Sequence, residues 1–272
     1  MKQLALLIIA TSTACASAGE ISLKIPNQLQ HRWPGELVSF NLKAVPAGDL
    51  SLEVQGVSRP AQRDGDRIWS YVTIKDRDAE GKKLDIGVVS AQLRSRKVSD
   101  GISVRKDGDF YLIDNGTYQF RLRDYKGDRL KGKTLAEVPH WCGGMRAKTQ
   151  KNWDGKAYFE SNAPVVGAKT ELVASGPVFA DFKITYEFEG APDGEVEAMP
   201  LASGKQSHLF APNQLPRERI PKRPFHYELL IRFVMEDAWI DVNERFHFPR
   251  DEKASPFGIT HYYIEWGQGG LP

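Results

Sequence analysis

Cysteine is scarce in this chain: two among 272 residues. The first, Cys15, falls within an N-terminal stretch with the marks of an export signal. Lys2 gives a positive start, Leu4 to Ala10 an apolar core, and Ala16-Ser17-Ala18 a small-residue cleavage site before Gly19. Removal of residues 1–18 leaves Cys142 alone, so an intramolecular disulfide is excluded and stability must come from packing. Cys15 follows Thr13-Ala14 as a lipidated cysteine would, but Ser12 stands where such sites carry a larger aliphatic residue. Soluble export, to the periplasm or the medium, is the expectation. The leader's apolar run is too short for a stable membrane span.

Excess charge is missing too. Lys and Arg number 37 against 35 Asp and Glu, a net +2 that becomes +1 without Lys2. With no basic stripe, the electrostatic footprint of a nucleic-acid binder is absent. His208, His226, His247 and His261 show none of the short spacings of a readable metal site. Asp64, Asp66, Asp76 and Asp78 have the chemistry of a calcium loop, but also that of turn-forming residues. Gly143-Gly144 and Gly269-Gly270 follow no strand-to-helix pattern, which removes phosphate loops and dinucleotide fingerprints. The sequence therefore implies no cofactor and no metal. Helical periodicity is lacking after the leader.

What is present is alternation. Val178, Ala180, Phe182, Ile184, Tyr186 and Phe188 share one face, while Asp181, Lys183, Thr185, Glu187 and Glu189 share the other. Period two over that length means a strand with one face in a core and one in solvent. Tyr227 to Met235 and Ile240 to Phe248 repeat the pattern. Long antiparallel strands of this kind predict an all-β protein with a large β-sandwich in its C-terminal half.

The preceding region, residues 19–104, reads as a smaller β-sandwich or barrel of short strands. Val38-Phe40-Leu42 and Leu50-Leu52-Val54 alternate with polar residues. Ile68 to Ile74 carries Trp69 and Tyr71 on one face and smaller residues on the other, and Leu84-Ile86-Val88 completes the set. Pro46 to Asp49 and Asp64-Gly65-Asp66 mark turns. The polar stretch Arg94 to Asp109 is the expected boundary, so the larger module covers 105–272. It opens with a hairpin: Phe110 to Ile113, the turn Asp114-Asn115-Gly116, then Tyr118, Phe120 and Leu122 alternating with Gln119, Arg121 and Arg123. Residues 190–225 are rich in Pro and Gly, lack a period, and read as a long insertion. After the aromatic strand His261 to Trp266, the run Gly267 to Pro272 reads as a loop leading onward, as in the front portion of a longer protein.

Several of these runs carry a resemblance. Leu50 to Ile74, with Arg59-Pro60-Ala61-Gln62 and Asp66 to Val72, resembles the opening module of large secreted bacterial proteins related to exo-acting rhamnogalacturonan lyases. The next module of that family is similar to Asp109 to Phe120, to Val173 to Val178 leading into the long strand, and to Ile240 to Asn243. The resemblance implies an exported, carbohydrate-associated protein, the non-catalytic front portion of a pectin-directed polysaccharide lyase-like enzyme. The reactive cleft would lie on a following helical domain that these residues do not contain. The implied chemistry of the whole is β-elimination at a uronic acid: a base takes the C5 proton while a cation stabilises the carboxylate. No catalytic residue can be carried over. A self-standing carbohydrate-binding protein and a structural envelope protein without a glycan ligand remain as alternatives.

The residues themselves point to one chemically suggestive loop: His140, Trp141, Arg146 and Trp153, around Cys142-Gly143-Gly144. Aromatic rings stack on sugar faces, and arginine pairs with uronate carboxylates in bidentate fashion. These four are the expected substrate-binding residues for a pectic polysaccharide or oligosaccharide; a plug for the end of the sandwich is the competing reading of Trp141. Cys142 beside His140 has the makings of a nucleophile and base but lacks an orienting third group. Glu244 falls on the apolar face of Ile240, Val242, Phe246 and Phe248, where a carboxylate needs a partner or a raised pKa. Asn243, Arg245 and His247 form a polar strip opposite.

Overall fold

A computed structural model describes residues 20–26, 33–42, 47–86, 88–97, 99–127, 130–159, 161–197, 217–237, 239–249 and 262–265. The leader, Cys15, most of the 190–225 insertion and the run Gly267 to Pro272 lie outside the described residues. The described chain is all β: antiparallel strands, and one 3-10 turn at Leu135–Glu137.

The chain divides into two compact units. The first comprises residues 1–103 together with two later stretches, 175–180 and 234–239. It contains β1 (Glu20–Pro26), β2 (Trp33–Asn41), β3 (Leu50–Val54), β4 (Val57–Asp64), β5 (Arg67–Ile74) and β6 (Val88–Ser95). They form one six-stranded sheet in the order β1-β6-β3-β4-β5-β2. Two tight hairpins set its register. Gln55 (φ 49°) and Gly56 (φ 77°) turn β3 into β4, the left-handed pair that a two-residue hairpin matched to strand twist requires. Gly65 (φ 59°) does the same work between β4 and β5. The inward residues of every strand, among them Leu23, Phe40, Leu52, Ile68, Val72 and Leu93, make one core.

One expected strand is displaced. Leu84 and Ile86 precede β6 rather than forming it, and Val88 is exposed. The buried phase runs instead through Val89, Ala91 and Leu93. Leu84 and Ile86 pack on the core from a non-strand segment, so apolar character at alternate positions was satisfied without extended pairing.

A buried amide ties the later stretches into this unit. The Gln62 Oε1 atom accepts hydrogen bonds from the backbone N–H groups of both Val178 (3.0 Å) and Phe179 (2.9 Å). Gly176 makes room: a Cβ there would lie 2.4 Å from Gln62 Cδ. Trp69 packs edge-on against Phe179, and the Met235 N–H donates to the Val178 carbonyl.

The second unit holds, apart from the strand ends that fall in the first unit's two later stretches and at Ser103, β7 (Ser103–Asp107), β8 (Phe110–Asp114), β9 (Tyr118–Arg123), β10 (Lys126–Gly127), β11 (Lys133–Thr134), β12 (Cys142–Ala147), β13 (Lys156–Phe159), β14 (Pro164–Ser175), β15 (Phe179–Phe188), β16 (Glu195–Glu197), β17 (Arg217–Arg219), β18 (Phe225–Val234), β19 (Ile240–His247) and β20 (Tyr262–Glu265). A four-stranded sheet, β12-β9-β8-β7, faces a larger one, β10-β14-β15-β18-β19, with β11 also on β14. Between the sheets, Phe120 meets Phe233 and Tyr111 meets Phe182, each at 5.1 Å between ring centroids. Aromatic pairs at such spacing add about 0.5–1.5 kcal/mol each beyond the area they bury. Tyr186 is fully buried; its hydroxyl donates to the Tyr125 oxygen at 3.0 Å, and Tyr125 donates to the Pro139 carbonyl. The hairpin turn between β8 and β9 forms as its sequence dictates: Asn115 Oδ1 accepts from the Thr117 and Tyr118 N–H groups, and Gly116 takes φ 100°. Within the insertion, β16 pairs with β17 antiparallel. β20 pairs with β13.

Candidate functional site

The alternation of β9 decides where chemistry gathers. Tyr118, Phe120 and Leu122 point into the sandwich, so Gln119, Arg121 and Arg123 stand on the outer face, half-buried. Arginines two residues apart on a strand lie on one face about 6.6–6.8 Å apart. Phe110, opposite Arg123 in register on β8, turns its ring across the same face. The Arg123 guanidinium lies 4.6 Å from the Phe110 ring centroid and that of Arg121 5.7 Å.

The loop after β12 adds the rest. Met145 and Asp154 exchange backbone hydrogen bonds, both 2.8 Å, which holds Trp153 beside the strand. Arg121 and Arg146 then lie 4.2 and 4.5 Å from the Trp153 ring. Arg146 is fixed further by Gln119 Oε1, which accepts from its Nε at 2.8 Å, and by the Lys151 carbonyl, at 2.9 Å from Nη1. The result is a row in which cation and ring alternate: Arg123, Phe110, Arg121, Trp153, Arg146. Each contact contributes about 0.5–2 kcal/mol according to its desolvation.

Two glycines make this row sterically feasible. A Cβ on Gly143 would sit 2.3 Å from the Phe110 ring. Gly144 adopts φ 122° where β12 shifts register against β9, with the Asp154 carbonyl 3.0 Å from where its Cβ would be.

The carboxylates nearby leave the arginines largely uncommitted. Asp107 approaches Arg121 only to 3.8 Å, and Asp114 is taken by Lys148 (3.2 Å) and Gln119 (3.0 Å). Its ionised form is favoured by the hydrogen bonds from Gln119 and Gly116 and by Lys148, which together outweigh a larger opposing effect of burial, so its pKa lies below the usual value. The Arg121 Nε–H is buried and has no hydrogen-bond partner among the described residues, which leaves its Nη groups as the edge that faces outward.

Of the four residues expected to touch substrate, the structure brings two together and separates off the others. Arg146 and Trp153 belong to the cation-and-ring row. His140 and Trp141 are 4% and 2% exposed and belong to the core. Their rings lie 5.0 Å apart, Trp141 stacks on Phe120, and His140 packs at a tilt against Phe159. A surface ligand cannot reach them. Arg121, Arg123 and Phe110 complete the row, and of their placement only the polar phase of β9 is legible in the sequence.

Cys142 and His140 do not form a nucleophile and base. Nδ1 of His140 accepts from the backbone N–H of Cys142 at 3.0 Å, not from its thiol. Burial pushes the Cys142 thiol up to about 11 and the imidazole down to about 3, so both are neutral at physiological pH. Glu244, expected on a buried apolar face, is exposed. Among the described residues β19 is the last strand of its sheet, and its Phe246 stacks on Tyr227 at 4.5 Å. Asp78 is turn chemistry: its carboxylate accepts from the Glu80 and Lys82 N–H groups.

Fold and surface together define an all-β protein that displays a cationic and aromatic row on the outside of a sandwich. The chain matches no known family model and no curated protein.

Proposed function

We propose that this protein binds acidic polysaccharide, of the pectic class, on the outer face of the sheet β12-β9-β8-β7. The observation that carries the reading is the row Arg123-Phe110-Arg121-Trp153-Arg146. Rings hold the guanidinium planes; Arg146 spends its Nε and one Nη on Gln119 and Lys151, and Arg123 its Nε on the His140 carbonyl, so the remaining Nη groups, those of Arg121 first, are the donors for a uronate carboxylate. The aromatic rings here orient the cations; they are not open platforms for sugar. Pre-ordering of this kind lowers the entropy lost on binding.

The resemblance to the front modules of exo-rhamnogalacturonan lyases supports the same substrate class. On that reading the chain is exported by its leader and holds the acidic polymer, while β-elimination belongs to a domain beyond these residues. The inert Cys142–His140 pair is consistent with a non-catalytic role.

The test is calorimetric titration of the full chain with oligogalacturonate at low salt. Each charge-assisted hydrogen bond contributes about 1.5–3 kcal/mol, so Arg121→Ala should weaken binding by about 10- to 100-fold. A neutral oligosaccharide of equal length should bind far more weakly. Equal affinity for the neutral sugar, or unchanged binding in an Arg121→Ala/Arg146→Ala variant that still folds, would remove the proposal.

A further inference from the structure

Outside the row just described, one polar cluster on the larger sheet is built from groups that all donate to metals. β18 places His226 and Glu228 two residues apart, hence on the same outward face. β19 sets His247 directly opposite His226 in register, and the two imidazoles lie 4.2 Å apart between centroids and nearly parallel. Glu228 Oε2 sits 3.0 Å from His247 Nε2. The other carboxylate oxygen, Oε1, is held by the Lys183 ammonium from β15. One donor atom from each of His226, Glu228 and His247 falls within 4.8 Å of the other two.

We infer that His226, Glu228 and His247 form a binding site for a divalent transition-metal ion. Two imidazoles and one carboxylate suit zinc, nickel, copper or iron(II) and are a poor set for calcium or magnesium, which take oxygen ligands. In a tetrahedral zinc site with bonds of 2.0–2.1 Å the donors stand about 3.4 Å apart. The separations here need only side-chain rotation to close, and the exposed His247 ring is free of the core. Glu228 is 9% exposed, and Lys183 holds the carboxylate oxygen that does not face His247. That is the placement of an outer-sphere partner that orients a ligating carboxylate. Three protein ligands leave a coordination position open to solvent, which a water or a ligand's oxygen would fill.

The site escapes sequence reading because its halves are 21 positions apart on neighbouring strands. The spacing His226-Tyr227-Glu228 is a fragment without its partner.

Zinc itself is the probe. Titrated into metal-free full chain, Zn²⁺ should bind and raise the thermal midpoint, since a ligand of the native state stabilises it. His226→Ala/His247→Ala should lose one equivalent of bound zinc and the accompanying stabilisation. Imidazole NMR signals of the unsubstituted protein give a second readout that does not depend on a variant folding: those of His226 and His247 should shift together with zinc. Full zinc stoichiometry in the double variant would overturn the inference. So would imidazole shifts confined to other histidines, or no binding at millimolar zinc.

Discussion

At the scale of single residues, burial rather than residue type decides who does chemistry. His140 and Trp141 are residues that any reader of the sequence would offer to a sugar, yet both are core. Nothing local distinguishes a tryptophan that stacks on a ligand from one that stacks on Phe120; the difference lies in a strand twenty residues away. The buried His140 makes a sharp prediction. Above its ordinary pKa of 6.5 folded and unfolded states are both neutral there. As pH falls toward 3 the unfolded chain takes up a proton that the folded one refuses, so stability drops. The difference reaches roughly 5 kcal/mol over that window. His140→Asn, which keeps an acceptor for the Cys142 N–H, should be less stable at neutral pH through lost packing but should show a flatter acid limb in urea unfolding. Equal pH slopes in the two proteins would refute it.

Glu218 gives the opposite case. It is buried on β17, with Oε2 accepting from the Asn162 N–H at 3.0 Å, and burial raises its pKa. Below 4.5 its acid form is common to both states. As pH rises through 4.5 toward the raised folded value, the unfolded state ionises first and stability is lost. Glu218→Gln should therefore be the more stable protein at pH 7 and the less pH-dependent one between pH 4 and 7, read as thermal midpoint against pH.

Among elements, the strands announced themselves wherever one face was buried. β15, β18 and the β8–β9 hairpin stand where their alternation puts them, because inward apolar and outward polar residues fix register. Alternation misled at Leu84 and Ile86, which pack on the core without strand pairing, and at Glu244, which is exposed on the last described strand of its sheet. The short run Ser175-Gly176-Pro177 leads from β14 into β15. Its reason is Gln62, over a hundred residues earlier, and such a partner leaves no local trace. Gln62→Leu should cost about 2–4 kcal/mol, because two backbone donors lose one buried acceptor. Gly176→Ala should be comparably harmful alone but much less so when Gln62 is already alanine, a coupling that a double-mutant cycle measures. Additive effects would break the link. Gly143→Ala belongs to the same scale: the Phe110 ring must move, and glycan affinity should fall by more than the protein's stability does.

At the largest scale, the two facing sheets of the second unit each carry an organised polar cluster on the outer face among the described residues. Neither could be assembled from the sequence. The arginines of β9 were legible as a polar phase, but their convergence with Trp153 depends on the bridge between Met145 and Asp154. A surface that works through guanidinium groups in water must be screened by ions. Binding of oligogalacturonate should therefore weaken steadily as salt is raised from 20 to ~500 mM, while the fold persists, and salt-independent affinity would argue for a different contact. The most direct measurement is hydrogen exchange on the full chain with and without oligogalacturonate. Slowed exchange confined to 119–123 and 143–154 is the predicted outcome; protection that falls elsewhere, with these amides unchanged, would contradict the account.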